Sequence, residues 1–196
     1  MDVWTIKAKL GFVPWIIPDD PKVHTWLTEL LRTGAPFGDA YRTIHTTHDR
    51  EGSVEFFHLD SGMLVCTHEA FERLKDLFSD DVEVLPLDIF AERACLLNVT
   101  RVNNCLDLDK STISYFPNGK VKSVDKYVFT SDLVEGCHVF RIPQELETCV
   151  FCTDEFRAKM IERGVTDLEF EEPAPLLPKI GELARMGFRP PLEPSS

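Results

Sequence analysis

Thr112-Ile113-Ser114-Tyr115-Phe116-Pro117-Asn118-Gly119-Lys120-Val121-Lys122-Ser123-Val124 is the stretch on which the fold class turns. Pro117 presets φ, while Asn118 and Gly119 tolerate positive φ, so the centre reads as a tight turn. β-Branched and aromatic residues on either side make Thr112–Phe116 and Lys120–Val124 the two strands of a hairpin. Hairpin-linked strands are antiparallel and need no crossover helix.

Outward from the hairpin, the pattern repeats. Downstream, Lys126–Phe129, His138–Ile142 and Cys149–Cys152 read as strands. Thr153 stands where an N-cap is wanted. Asp154 and Glu155 follow in the first turn and Arg163 closes the last before Gly164, matching the helix dipole at both ends. Leu168–Glu171 reads as a final short strand. Upstream, Val82–Phe90 and Cys95–Val102 read as strands, and Val54–Leu59 and Met63–Cys66 as two more around Asp60-Ser61-Gly62. Thr67 caps a helix with Phe71, Leu74, Leu77 and Phe78 on its core face, ended by Ser79-Asp80-Asp81. Residues 35–53 carry no periodicity and read as a loop.

At the start of the chain, Trp4, Ile6, Ala8 and Leu10 alternate with Thr5, Lys7 and Lys9, the period of a half-buried strand. Asp20 and Pro21 open a helix with Val23, Trp26, Leu27, Leu30 and Leu31 on one face, stopped by Gly34. Strand runs broken by about three helices predict an α+β fold with a largely antiparallel sheet. Residues 1–172 are expected to form a single domain. Residues 173–196 hold 6 of the 13 prolines and read as a Pro-rich C-terminal tail that packs on the body or on a partner.

The chain has 196 residues, 43% of them hydrophobic, enough to bury a core without staples. No run of 18 apolar residues exists, so no transmembrane helix is expected. Met1-Asp2-Val3-Trp4-Thr5 has no basic segment leading into an apolar one, which predicts a cytoplasmic protein. The formal charge is −12, and residues 51–100, with 3 basic and 11 acidic side chains, carry −8 of it. That balance argues against nucleic acid and favours a cationic partner.

Chemistry-bearing patterns are few. Cys149-Val150-Phe151-Cys152 is a C-x-x-C. It lacks the βαβ context of a thioredoxin, and neither Cys66-Thr67-His68 nor Cys137-His138 makes a second tight metal pair, so core thiols are expected over redox or zinc chemistry. His45-Thr46-Thr47-His48 lacks both a helical pattern and the acid of a zinc helix, and reads as surface loop. Asp107-Leu108-Asp109 reads as two carboxylates on a solvated strand face. No P-loop, G-x-G-x-x-G or G-x-S-x-G occurs. No catalytic residue, metal or cofactor is therefore assigned.

Leu96-Leu97-Asn98-Val99-Thr100, Leu106-Asp107-Leu108-Asp109-Lys110, Asp125-Lys126-Tyr127-Val128-Phe129 and His138-Val139-Phe140-Arg141-Ile142-Pro143 occur in order, then Thr153-Asp154-Glu155-Phe156 and Leu168-Glu169-Phe170. With Ser61-Gly62-Met63-Leu64-Val65 and Val84-Leu85-Pro86-Leu87 ahead of them, these blocks resemble the immunity-protein-11 family of bacterial polymorphic toxin systems over about residues 50–172. Asp167 stands where that family tends to have glycine. The resemblance implies a neutraliser that is encoded beside a toxin, binds it and protects the producing cell. It supplies no catalytic residue.

The expectation is thus a bacterial cytoplasmic immunity protein that occludes a cognate toxin domain with a cationic surface. Glu51, Glu55, Asp60, Asp80, Asp81 and Glu83 are the candidate partner-facing residues. The alternatives are an enzyme that reverses a toxin's modification, with acids near Asp107 and Asp109, and an acidic adaptor without a toxin link. A homodimer through exposed strand edges or the tail is left open.

Overall fold

Leu85, Leu87 and Ile89 are buried while Val84, Pro86 and Asp88 between them are more open, giving the strand Val82–Ile89 its period of two. Its neighbour Glu92–Val99 is buried without a break from Ala94 to Val99, since both of its faces are covered. These facts come from a computed structural model, which describes residues 2–9, 12–48, 54–59, 62–78, 80–89 and 92–173. In chain order the described strands are β1 (Val3–Ala8), β2 (Ile16–Pro18), β3 (Ile44–His48), β4 (Phe56–Phe57), β5 (Leu64–Thr67), β6 (Val82–Ile89), β7 (Glu92–Val99), β8 (Thr112–Tyr115), β9 (Val121–Lys126), β10 (Val139–Phe140), β11 (Val150–Thr153) and β12 (Leu168–Glu171). The described helices are α1 (Val23–Leu31), α2 (His68–Leu74), α3 (Ser131–Val134) and α4 (Asp154–Glu162).

Six strands run in the order β2-β3-β6-β7-β5-β4, antiparallel except for the β3–β6 pair. The two edges meet. Trp15, just ahead of β2, bridges in parallel to His58, just after β4. The Ile16 amide donates to the His58 carbonyl at 2.8 Å, and the His58 amide to the Pro14 carbonyl at 3.0 Å. Strand directions agree all the way round, so the sheet closes into a small barrel and neither edge is left open there. Ile16, Ile44, Phe57, Val65, Leu87 and Leu96 fill it, with Leu27 and Leu31 of α1 packed against them.

A second, antiparallel sheet has the order β10-β11-β1-β12. β1 is central, with Val3–Ile6 opposite Val150–Thr153 and Thr5–Ala8 opposite Leu168–Glu171. Its Ile6 face shares a core with Leu64, Cys66, Cys95 and Leu97, which point away from the barrel interior, and with α2 and α4. Its Val3 face, with Phe140 and Phe151, packs on Cys105, Leu106 and Val134 and on Val124 of the β8–β9 hairpin, which pairs with no other strand among the described residues. Each large apolar side chain buried here contributes about 1.5–3 kcal/mol.

Several local expectations are corrected. The 35–53 loop contains β3, so His45 and His48 lie on a strand. Asp107-Leu108-Asp109 is a turn and not a strand face. Asp107 Oδ1 accepts the amides of Asp109 and Lys110, both at 3.2 Å, and Oδ2 accepts Lys110 Nζ at 2.8 Å. Lys126–Phe129 forms no strand beyond the end of β9, apart from a bridge between Leu106 and Phe129. Asp20 caps a turn, accepting the Lys22 amide at 2.9 Å, and α1 begins at Val23. Thr67 does cap α2 through the Ala70 amide at 3.1 Å. Thr153 does not cap α4, because its hydroxyl donates to the Cys137 carbonyl at 3.1 Å. The Pro-rich tail lies outside the described residues, save for Pro173.

Candidate partner-binding surface

The hairpin read first in the sequence is also the part that stands apart. Its base is fixed by Ile113 and Val124 in the core. Its tip is a closed turn: the Gly119 amide donates to the Phe116 carbonyl at 2.9 Å, the Phe116 amide to the Lys120 carbonyl at 2.8 Å, and Asn118 Oδ1 accepts the Lys120 amide at 3.1 Å. Gly119 supplies the left-handed residue, at φ +80°, that ends such a turn. Directly beside it Tyr115 is 58% exposed and Phe116 48%. A register shift between Ser114 and Tyr115 turns this tip relative to the base. Residues 110–126 hold four lysines and one acid, Asp125, whose carboxylate accepts the hydroxyls of Ser114 and Ser123.

Behind the hairpin lies a groove of about 490 Å³ between β9 and residues 143–148, with Lys122, Gln144, Glu145 and Arg32 in its walls. The 143–148 loop is tied to Gly62 by Arg141, which is 1% exposed and donates to the carbonyls of Leu146 and, at 2.8 Å, Gly62. Burial lowers the Arg141 guanidinium to about 10, still charged at neutral pH. Gly62 is needed there: at φ +73°, a Cβ on it would sit 2.6 Å from the Glu147 carbonyl oxygen. Glu145 is also buried, and burial raises its carboxyl above the ordinary range, against the hydroxyl of Tyr127, which donates at 2.7 Å.

The acids singled out in the sequence do not form one cluster. Glu51 and Asp60 lie outside the described residues. Glu55 accepts Arg73, with Nη2 at 2.6 Å, level with Ala94 through the pairing of Thr67. Asp81 faces Arg101 at 3.4 Å and accepts the Thr100 amide on its carbonyl, six residues beyond Ala94 and just past the end of β7. Asp80 beside it is exposed. Glu83 accepts the amides of Phe37 and Gly38 at 2.7 and 2.9 Å and Asn98 Nδ2 at 2.9 Å. Burial pushes its carboxyl up, but these donors outweigh it and the net shift is down. Asp80, Asp81 and Glu83 therefore share the end of the barrel that leads, through Ala35 and Gly34, to Val102 and Leu146 on the groove. Glu55 is at the other end.

The remaining candidates are structural. All six cysteines are free and buried. Burial raises the Cys149 thiol to about 12 and pushes Cys152 up as well, the opposite of a reactive thiol. His45 faces Asp88 at 3.3 Å on the barrel surface, and no cluster of metal-ligand residues occurs among the described residues. Asp107 is held below the usual carboxylate range by Lys110. Asp167, the residue unlike the family pattern, has a use: its carboxylate accepts the Glu55 amide at 2.7 Å at the start of β4. Sequence reasoning missed Glu145, Tyr127 and Arg141, whose roles come from burial, which no local pattern signals.

The family model described as Immunity protein family (Imm11) matches residues 89–174. This is the family that the sequence blocks resemble. The match begins after Ser61–Val65 and Val84–Leu87, and it takes in β7, the hairpin, the groove loop and β10 to β12. No curated protein matches the chain. The family suggests an immunity function and, in general, a toxin protein as partner.

Proposed function

We propose that this protein neutralises a cognate bacterial toxin by binding it and covering its working surface, without chemistry of its own. The observation that carries this is the family match over residues 89–174. The distribution of side chains supports it. Exposed aromatics beside a preformed turn suit a binding face, since rigid aromatic anchors lose little entropy on docking. Asp80 and Asp81 suit approach to a cationic surface. Glu145, the carboxyl a catalytic reading would choose, is already engaged by Tyr127, so the reversing-enzyme alternative gains nothing from it. The cytoplasm is where such a protector would meet its toxin.

The test is co-expression with the toxin encoded beside it. Growth should be rescued by the full chain, the two proteins should co-purify, and isolated toxin should lose activity in proportion to added protein. Rescue without a complex, or turnover of a substrate by this chain alone, sinks the reading.

A further inference from the structure

We infer that the β8–β9 hairpin is the anchor of the complex, and that it enters an apolar pocket on the toxin bordered by carboxylates. The inference rests on the immunity reading and names the chemistry of its partner.

Tyr115 ends β8 and Phe116 follows it into the turn, so the two rings stand side by side at the tip. Both are exposed, and among the described residues neither ring stacks on another. A fold that closes its barrel edges and buries Phe140 and Phe151 completely has left these two in water. The turn beneath them is fixed by three hydrogen bonds, so they are held ready and do not have to be ordered on binding. Lys120 and Lys122 follow the turn directly. The one acid of the hairpin is occupied by two serine hydroxyls. The hairpin itself, residues 112–126, therefore carries +2 (Lys120, Lys122 and Lys126 less Asp125), since Lys110 before it is paired with Asp107, while the whole chain carries −12. A surface that takes two aromatic rings and also faces those lysines must be apolar at its centre and acidic at its rim.

Nucleic acid could also stack on such rings and meet such lysines. The remaining charge of −14 (−12 less +2) opposes it, so a protein is the better occupant. The acidic barrel end lies across the groove from this hairpin, so the toxin face is expected to be dipolar: cationic opposite Asp80 and Asp81, acidic opposite Lys120 and Lys122.

The experiment compares the full chain with two double variants, Y115S/F116S and K120E/K122E, against the purified product of the adjacent toxin gene. Because the altered side chains are exposed, both variants should keep the wild-type melting temperature within about 2 °C. Loss of the rings should weaken the complex at least 100-fold, mainly through faster dissociation. Lysine reversal should slow association about tenfold at low salt, a difference that closes at high salt. If wild type binds and the ring variant binds within threefold of it, the hairpin is not the anchor, yet the immunity reading survives. If wild type itself fails to bind, both fall. A dimer of this chain lost in the ring variant, or nucleic-acid binding lost with it, would reassign the hairpin to that occupant and overturn the inference.

Discussion

Gly62, Arg141 and Glu145, which meet around the 143–148 loop, show how a single residue sets the shape around it. Gly62 approaches the Glu147 carbonyl so closely that a methyl group would require the backbone to move, and its φ of +73° is itself unfavourable for any other residue. Gly62→Ala should destabilise the fold by about 2–3 kcal/mol, because strain and the disturbed Arg141 hydrogen bond act together. Urea denaturation checks this, and a loss under about 0.5 kcal/mol would show that the contact relaxes freely. Glu145 gives a prediction in pH. Its carboxyl ionises at higher pH in the folded chain than in the unfolded one, so the folded state holds the extra proton. Its contribution is present in full below the ordinary carboxylate value and is lost as pH rises through the folded value. Glu145→Gln, which can still accept the Tyr127 hydroxyl, should therefore equal wild type near pH 4 and exceed it in stability at pH 7. Equal stability at both pH values would mean that the carboxyl carries no penalty in the fold.

Among the elements, those with a local cause were readable and those made by distant pairing were not. The hairpin could be placed because Pro117-Asn118-Gly119 carries its own turn chemistry, and β1 because apolar residues alternate at Trp4, Ile6 and Ala8. β3 escaped because its inward positions include a threonine: Thr46 is buried, with its hydroxyl on the Asp88 carbonyl at 3.2 Å. Barrel closure rests on a bridge between Trp15 and His58, which leaves no periodic trace. Asp107 was misplaced because a short acid that accepts its neighbours' amides makes a turn from a sequence that also suits a strand. Least legible was the partner of β1. The first strand of the chain sits between β11 and β12, both within the stretch that matches the family. That makes residues 2–9 part of the same core, with Ile6 against Val150 and Phe170 across the register. A fragment of residues 89–174 should therefore lack a cooperative thermal transition, because it exposes the inner edges of β11 and β12 and strips β7 of β5 and β6. A sharp two-state melt of that fragment would show the matched stretch to be self-sufficient.

For the whole molecule the question is how a charge of −12 is used. Sequence order groups the acids, but the barrel register spreads them. Six residues, from Ala94 to just past the end of β7, separate the level of Glu55 from that of Asp81, roughly 20 Å, about two screening lengths at 0.1 M salt. Charges that far apart cannot act as one patch on an approaching partner. Those at the Asp80 end lie beside the groove, while Glu55 is committed to Arg73. Glu83 is a poor probe although it lies at the right end, since reversing it would strip two backbone amides and Asn98 of their acceptor. Reversal of Asp80 and Asp81 together should slow association with the toxin about tenfold at low salt and flatten its salt dependence, with little effect on dissociation. At 0.1 M salt Glu55→Gln should leave the association rate within about twofold, because at that distance the ions have already screened it. Stopped-flow mixing at two ionic strengths separates the cases. An unchanged on-rate for the Asp80/Asp81 pair would mean that the negative charge serves solubility and plays no part in finding the toxin.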